Sequence, residues 1–505
     1  MSDRPQVVFT LDGVEVRGDA DVSLLHALRA VGATSVKDGC SPQGQCGCCT
    51  VWVDGQPRVS CVTPVARVAG RAVTTLDGLP DAHDWAQRLC DSGGSQCGFC
   101  TPGIIMRLAA IPAAQRNDAS VRQALLAHLC RCTGWNTIVE GALASPRPVP
   151  GWSRHPAPGE QRAALEGRSP QLVSARVALG DGGFAADTAP PDALVAVLSA
   201  DGEWVVAESH AAALRGAGKV QGRRTTEPLR WPLEVPEGDW ARTLQTTWVE
   251  PAYLEPDAAW CEPGGEPVGP LGNGGAFGGK THSAIAEVAR QLALEHGRTV
   301  LALYSREDVV RLGPKRPPVA AGVRADGTGV MRVVRTPGIA DAIRSVAPGL
   351  EVQEVDVPGP PTSTAIRAAG WAEAVVLLAP DDGWVTDPHG GRATAVIDAD
   401  GAVHVTVQCG AVIDEGVVRS YCVGAAHMAL GWVRREAIAV DEHGAPLDLT
   451  IRSFGVLRAT ETPPVHIHIV TDGRSVNGSD AVFAAVALAA WRASGFAPRW
   501  PTMRT

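Results

Sequence analysis

No stretch of the 505 residues approaches the run of about 18 apolar residues that a membrane-crossing helix needs. Dense Lys/Arg runs are also missing: 45 Lys+Arg stand against 54 Asp+Glu, a net charge of −9, which argues against nucleic acid as a partner. The N-terminal segment MSDRPQVVFTLDGVEVRGDADVSLLHAL lacks the basic-then-apolar pattern of a secretory signal and reads instead as two short strands and a turn. No two histidines stand at metal-ligand spacing, and HIH at His466–His468 reads as one face of a strand. These absences favour a chain kept in the reducing cytoplasm, where clustered thiols serve metals or redox chemistry rather than disulfides.

Cysteine is what the sequence does have, in an uneven distribution. Ten of the 13 cysteines precede residue 133. The first group is DGCSPQGQCGCCTVWVDGQPRVSC, which holds Cys40, Cys46, Cys48, Cys49 and Cys61. Its glycines Gly39, Gly44 and Gly47 let the backbone wrap closely, so that several amides can point at sulfur. The spacing Cys40-x5-Cys46-x2-Cys49 is one residue longer than the plant-type ferredoxin run, which favours a [2Fe–2S] cluster over zinc. The second group is Cys97 and Cys100 in QCGFC with Cys130 and Cys132 in CRC. Both pairs border amphipathic helix patterns, TPGIIMRLAA with Pro102 in its first turn and VRQALLAHL. Taken alone, four thiols at helix ends suit zinc nearly as well as iron. Cys48, Cys90, Cys261, Cys409 and Cys422 read as small buried hydrophobes.

The order of these pieces, together with SLLHALRAVGATSVKDGC before the loop and VTTLDGL after it, resembles the iron–sulfur region of the molybdenum hydroxylases, the xanthine dehydrogenase and aldehyde oxidoreductase family. The resemblance implies a multidomain α+β protein. A β-grasp [2Fe–2S] ferredoxin domain spans residues 1–79 and a four-helix [2Fe–2S] domain spans 80–148. It assigns the first cluster to Cys40, Cys46, Cys49 and Cys61, and the second to Cys97, Cys100, Cys130 and Cys132. Gln96 and Cys132 match family positions close to the pterin.

After a Pro/Gly/Arg-rich stretch, read as a semi-extended linker over 149–175, strand and helix patterns alternate to residue 505. GGAFGGKT, Gly274 to Thr281, satisfies the Walker A spacing but follows no apolar strand. With the helix pattern and SRED behind it, the block resembles the family's molybdopterin subunit, in which the Phe, here Phe277, lies near the metal. TSTAIRAAGWAEAVVLL resembles the family's Arg-x-x-Gly-x-x-Glu segment, with Glu373, and VNGSDAV aligns with its Gly-x-Gly-Glu. There the family's catalytic Glu is replaced by Asp480, a weak substitute base because it is one methylene shorter. No Gly-Gln-Gly segment is present. Arg306, Glu307 and Asp308 read as a solvated helix start. Region 176–505 is thus expected to be a shortened, mixed α/β, degenerate molybdopterin-subunit-like scaffold.

The function these readings imply is electron transfer. The chain would relay electrons from a partner molybdopterin subunit through two [2Fe–2S] clusters to a flavin subunit or other acceptor. Molybdopterin dinucleotide and FAD would sit on those partner chains. A compact self-contained hydroxylase using Phe277 with Asp480 or Glu373, and a non-catalytic iron–sulfur scaffold, are the alternatives.

Overall fold

The computed structural model describes residues 5–144, 156–219, 222–272 and 275–504. The expected hairpin forms as β1 (Gln6–Leu11) and β2 (Val14–Asp19) around Asp12-Gly13. Helix α1 (Leu24–Ala30) follows, its N-terminal amides capped by Ser23, and buries Leu24, Leu25, Ala27 and Leu28. Strands β3 (Thr50–Val53), β4 (Gln56–Val59) and β5 (Ala72–Thr74) complete a five-stranded sheet of order β2-β1-β5-β3-β4. β5 runs parallel to β1 through its centre, the β-grasp arrangement. The cysteine loop leaves α1 and returns into β3, so helix and sheet fix one end of that loop each.

Four helices form the next layer: α2 (Ala82–Ser92), α3 (Thr101–Ala109), α4 (Asp118–Ala124) and α5 (Asn136–Leu143). The linker expectation fails over residues 156–167. Residues 145–155 lie outside the described residues, but α6 (Pro156–Gly167) is a helix, with Arg162, Ala163 and Glu166 fully buried. Pro156 and Pro158 fall in its first turn, where a helix loses no hydrogen bond to proline.

Beyond the short helices α7 (Ala175–Ala178) and α8 (Ala185–Thr188) come strands β6 (Leu194–Leu198) and β7 (Trp204–Ala207) and helix α9 (His210–Ala217). The chain continues through β8 (Arg242–Gln245), β9 (Ala258–Cys261), α10 (Ile285–His296), β10 (Val300–Leu303) and α11 (Arg306–Leu312). Next are β11 (Val319–Val323), β12 (Gly329–Val334), α12 (Ile339–Arg344), β13 (Leu350–Val355) and α13 (Trp371–Leu378). The last elements are β14 (Trp384–Thr386), β15 (Arg392–Ile397), β16 (Val403–Gln408), α14 (Glu415–Arg434), β17 (Val465–Val470) and α15 (Ser479–Ala493). The strands make three open mixed sheets, β7-β6-β10-β9, β13-β12-β11-β8 and β14-β15-β16-β17.

At the centre, α14 is buried on nearly every side, as its apolar composition all round predicts. It packs against α15, α6, α2 and α5, and so ties the cysteine-bearing helices to the second half. Gly424 makes this close approach possible: a Cβ there would lie 1.8 Å from the Cys132 carbonyl oxygen. Among the described residues, no helix is long and apolar enough to cross a membrane.

Candidate metal centres

All five thiols of the first group are buried, and they are not equivalent. Cys40 hydrogen-bonds to the Cys46 and Cys61 thiols, Cys61 in turn to Cys49, and Cys46 also to Cys48, so the five form one string with Cys48 at its end. The backbone N–H groups of Gln43 and Gln45 donate to Cys40 Sγ at 3.2 and 3.4 Å, and that of Cys61 donates to Cys49 Sγ at 3.5 Å. The hydrogen bonds from Cys46 and Cys61 draw the Cys40 thiol well below its ordinary pKa, toward the thiolate that binds metal. Those bonds, and then burial, push Cys46 and Cys61 upward. Between Cys40 and Cys46 the chain turns with positive φ at Ser41 and Gly44. Gly47, at φ 74°, is pressed so closely onto His128 that a Cβ would lie 2.5 Å from its ring.

The second group forms a matching string, Cys100 to Cys130 to Cys132 to Cys97. Cys100 stands at the head of α3, and Cys130 and Cys132 lie in the extended segment between α4 and α5. Cys130 and Cys132 sulfurs are 3.9 Å apart, and Thr133 Oγ1 lies 3.0 Å from Cys130 Sγ. Cys130 is the central thiol here, pulled well below its ordinary pKa by hydrogen bonds from Cys100 and then Cys132. Among the described residues, no three His, Cys, Asp or Glu side chains meet in a group suited to a single metal ion. Two buried thiol strings, the first with amides aimed at sulfur, offer the donors that a two-iron cluster uses. The strings are also joined: the Leu129 N–H, one residue before Cys130, donates to the Cys46 carbonyl at 3.0 Å. Gln96 Nε2 donates to the Cys132 carbonyl and to Ser420 Oγ, each at 2.9 Å.

The second half brings Phe277 and Asp480 together, on either side of Arg367. The Arg367 guanidinium lies 4.4 Å from the Phe277 ring centroid, and its Nε is 3.0 Å from Asp480 Oδ1. Asp480 also pairs with Arg168, while Arg367 Nη2 donates to Ser479 Oγ at 2.9 Å. Glu373 is held by Arg316 in a two-pronged pair of 2.6 and 2.8 Å, with the same guanidinium 4.0 Å from the Trp432 ring. Arg131, between Cys130 and Cys132, clasps Glu436 at 2.6 and 2.7 Å and donates to the Pro251 carbonyl at 2.9 Å. Arg131, Phe277, Arg316, Arg367, Trp432 and Glu436, with Met428 and Phe483, line a cavity of about 20 Å³, room for a single water.

Helix α6 meets the N-terminus of α15 beside Asp480. The Glu166 carboxylate, paired with Arg162, accepts from the N–H of Ser479 at 2.8 Å and of Gly478 at 3.2 Å. A built-in anion thus occupies the N-terminus of α15. Sequence reasoning missed Arg131, Arg162, Glu166 and Arg316, because their partners are remote in sequence or sit in a segment that reads as linker. It also misplaced Arg306, Glu307 and Asp308, which are buried. Ser305 and Asp308 form a capping box, Asp308 pairs with Lys219, and Arg306 Nη2 donates to the Gly39 and Leu254 carbonyls at 2.7 Å each. Charge alone suggested solvent, but these partners offset burial. Gly274 of the Walker-like stretch lies outside the described residues, and Lys280 is committed to Glu255 at 2.6 Å.

Fold and thiol geometry together define a protein with two [2Fe–2S]-binding domains. Family models agree: a 2Fe-2S iron-sulfur cluster binding domain matches residues 4–77 and a [2Fe-2S] binding domain matches residues 75–143. The xanthine dehydrogenase iron-sulfur-binding subunit of Escherichia coli O157:H7 is 41% identical over 127 residues, 24% of this chain and 79% of that protein. The chain belongs to the molybdenum hydroxylase family. Xanthine dehydrogenase of Emericella nidulans is 38% identical over 162 residues, but the match spans 28% of this chain and only 12% of that enzyme. In overall fold the chain is similar to an aldehyde oxidoreductase from Desulfovibrio gigas, with a TM-score of 0.70 at 15% identity and 99% coverage of both chains.

Proposed function

We propose that the chain is the electron-transfer component of a molybdenum hydroxylase complex. Cys40, Cys46, Cys49 and Cys61 hold one [2Fe–2S] cluster, and Cys97, Cys100, Cys130 and Cys132 hold the other. Molybdopterin dinucleotide and FAD belong to partner chains. Clusters bound at these thiols supply one-electron exchange between a donor and an acceptor. The protein's part is to bury the thiols, aim the Gln43, Gln45 and Cys61 amides at sulfur, and hold the two sets one hydrogen bond apart through Leu129 and Cys46.

One contrast carries this reading: both thiol sets are complete, whereas the would-be catalytic cavity is filled by Arg–carboxylate pairs. A general base must be free to reach the proton it removes, and Asp480 is engaged by Arg367 and Arg168. Glu373 is likewise committed to Arg316. The face of Cys132 toward the second half is covered by α14, so a donor on a partner chain exchanges electrons across a layer of this protein rather than by direct contact.

The test is the metal and pterin content of the purified chain. Two irons per cluster with neither molybdenum nor pterin is the expected result; molybdenum near one per chain overturns the proposal in favour of a self-contained hydroxylase. Cys49→Ser removes one [2Fe–2S] EPR signal and Cys130→Ser the other, which also assigns the two signals.

A further inference from the structure

The fifth thiol of the loop is left over from the ligand set, yet it is placed between the two sets. Cys48 is buried with 1% of its surface exposed. It touches the Cys46 thiol at the end of the Cys46–Cys40–Cys61–Cys49 run, in the electrostatic reach of Cys100 and Cys130 of the other set. Gly39 marks its position independently, since a Cβ on that residue would lie 3.0 Å from Cys48 Sγ and 3.1 Å from Cys46 Sγ. Both sulfurs therefore crowd the same point. The head of α3 closes over them, with Gly103 packed on the Gly47 and Cys48 carbonyls.

A thiol so placed has few acceptors. The Cys46 carbonyl is 3.9 Å away and already receives the Leu129 N–H at 3.0 Å. The Cys46 sulfur, as a metal-bound thiolate, carries negative charge and is the better acceptor. We propose that Cys48 is a positioning residue that raises the reduction potential of the N-terminal cluster by donating its S–H to the Cys46 sulfur. A donor on a ligand sulfur favours the more negative, reduced state. The inference rests on the ligand assignment proposed above.

The test is an EPR-monitored redox titration of the full chain, with dithionite as electron source and ferricyanide as oxidant. In Cys48→Ala the first-cluster signal keeps its intensity but moves to lower potential. We expect a reduced-to-oxidised ratio about tenfold smaller at fixed potential, or 59 mV for one electron; the second cluster stays where it was. Cys48→Ser, with a stronger O–H donor, holds the potential at or above the original. An exchangeable-proton coupling to the reduced cluster, read by ENDOR in H2O and D2O, is present in the unmodified chain and absent in Cys48→Ala. An unmoved potential in Cys48→Ala, or loss of the cluster itself, overturns the inference. Failure of the underlying assignment shows differently, as an unmodified chain with no [2Fe–2S] signal or as Cys49→Ser retaining both.

Discussion

Replacing Arg131 with Met removes one half of a buried ion pair whose members expose 5% and 1% of their side chains. Glu436 has both carboxylate oxygens on that guanidinium, at 2.6 and 2.7 Å, and Arg131 Nε donates to the Pro251 carbonyl. Taking away the cation strands a carboxylate in a cavity with room for one water, at a cost of about 3–5 kcal/mol. Glu436→Leu alone strands the guanidinium at comparable cost. The double variant strands neither charge, and replacement of a whole buried pair by apolar residues is often close to neutral. The measured coupling between the two sites is therefore at least about 3 kcal/mol, where independent sites would show a few tenths. Urea unfolding followed by Trp fluorescence reads this well, because Trp432 lines the same cavity. EPR reads the second cluster in parallel, since Arg131 sits between two of its proposed ligands. If the double variant loses as much as the two single variants added together, the pair does not hold the cysteine helices to the second half.

Gly424→Ala places a methyl 1.8 Å from the Cys132 carbonyl, contact with rigid backbone that costs about 1–3 kcal/mol or more. The expected result is loss of the Cys130→Ser-sensitive EPR signal with the other signal retained; retention of both would refute the close approach. Acidification should loosen the contact of α1 with α9, where the His26 and His210 rings meet edge to face at 5.0 Å. Burial, then Arg215, lowers His26 to about 4; burial, then His26 and Arg29, lowers His210 to about 3. Depressed His values mean stability is whole above the unfolded pKa near 6.5 and falls as pH drops toward 4. The slope is at most about 1.4 kcal/mol per pH unit for each ring, trimmed because both rings are partly exposed. Melting between pH 7 and 4.5 checks this, and His210→Phe should flatten the decline.

How much of this was legible in the sequence depended on how local the signal was. The thiol sets were readable because the ligands are spaced along short segments, and the helices beside Cys100 and Cys130 announced themselves by Pro102 and apolar period. The capping box at Ser305 was local as well, but the burial of Arg306 was not, because its acceptors on Gly39 and Leu254 are 267 and 52 residues away. The same limit hid Arg131–Glu436, separated by 305 residues. In α6 the composition misled: prolines and glycines suggested a linker, while the only local hint of helix was Arg162–Glu166 at i,i+4. The reason for burying Glu166, the amides of Gly478 and Ser479, lies 312 and 313 residues further on.

That remote contact bears on what the second half is for. A cavity shaped for a large anionic cofactor presents donors: guanidiniums, amides and a helix N-terminus. Here the α15 N-terminus and four of the guanidiniums have carboxylate acceptors from within the chain. Glu166 takes the α15 N-terminus, Asp480 takes Arg367 and Arg168, Glu373 takes Arg316, and Glu436 takes Arg131. Lengthening Asp480 to Glu would not by itself rebuild a catalytic base, because Arg367 and Arg168 would still hold the carboxylate. A buried ion pair adds little net stability over an apolar one, but it tolerates few alternative packings. Arg131–Glu436 fixes the registry of the second half against the cysteine helices, and the other pairs fix the second half internally. Holding two thiol sets at a constant separation and burial requires that kind of rigidity, and a catalytic cavity does not need to be open for it.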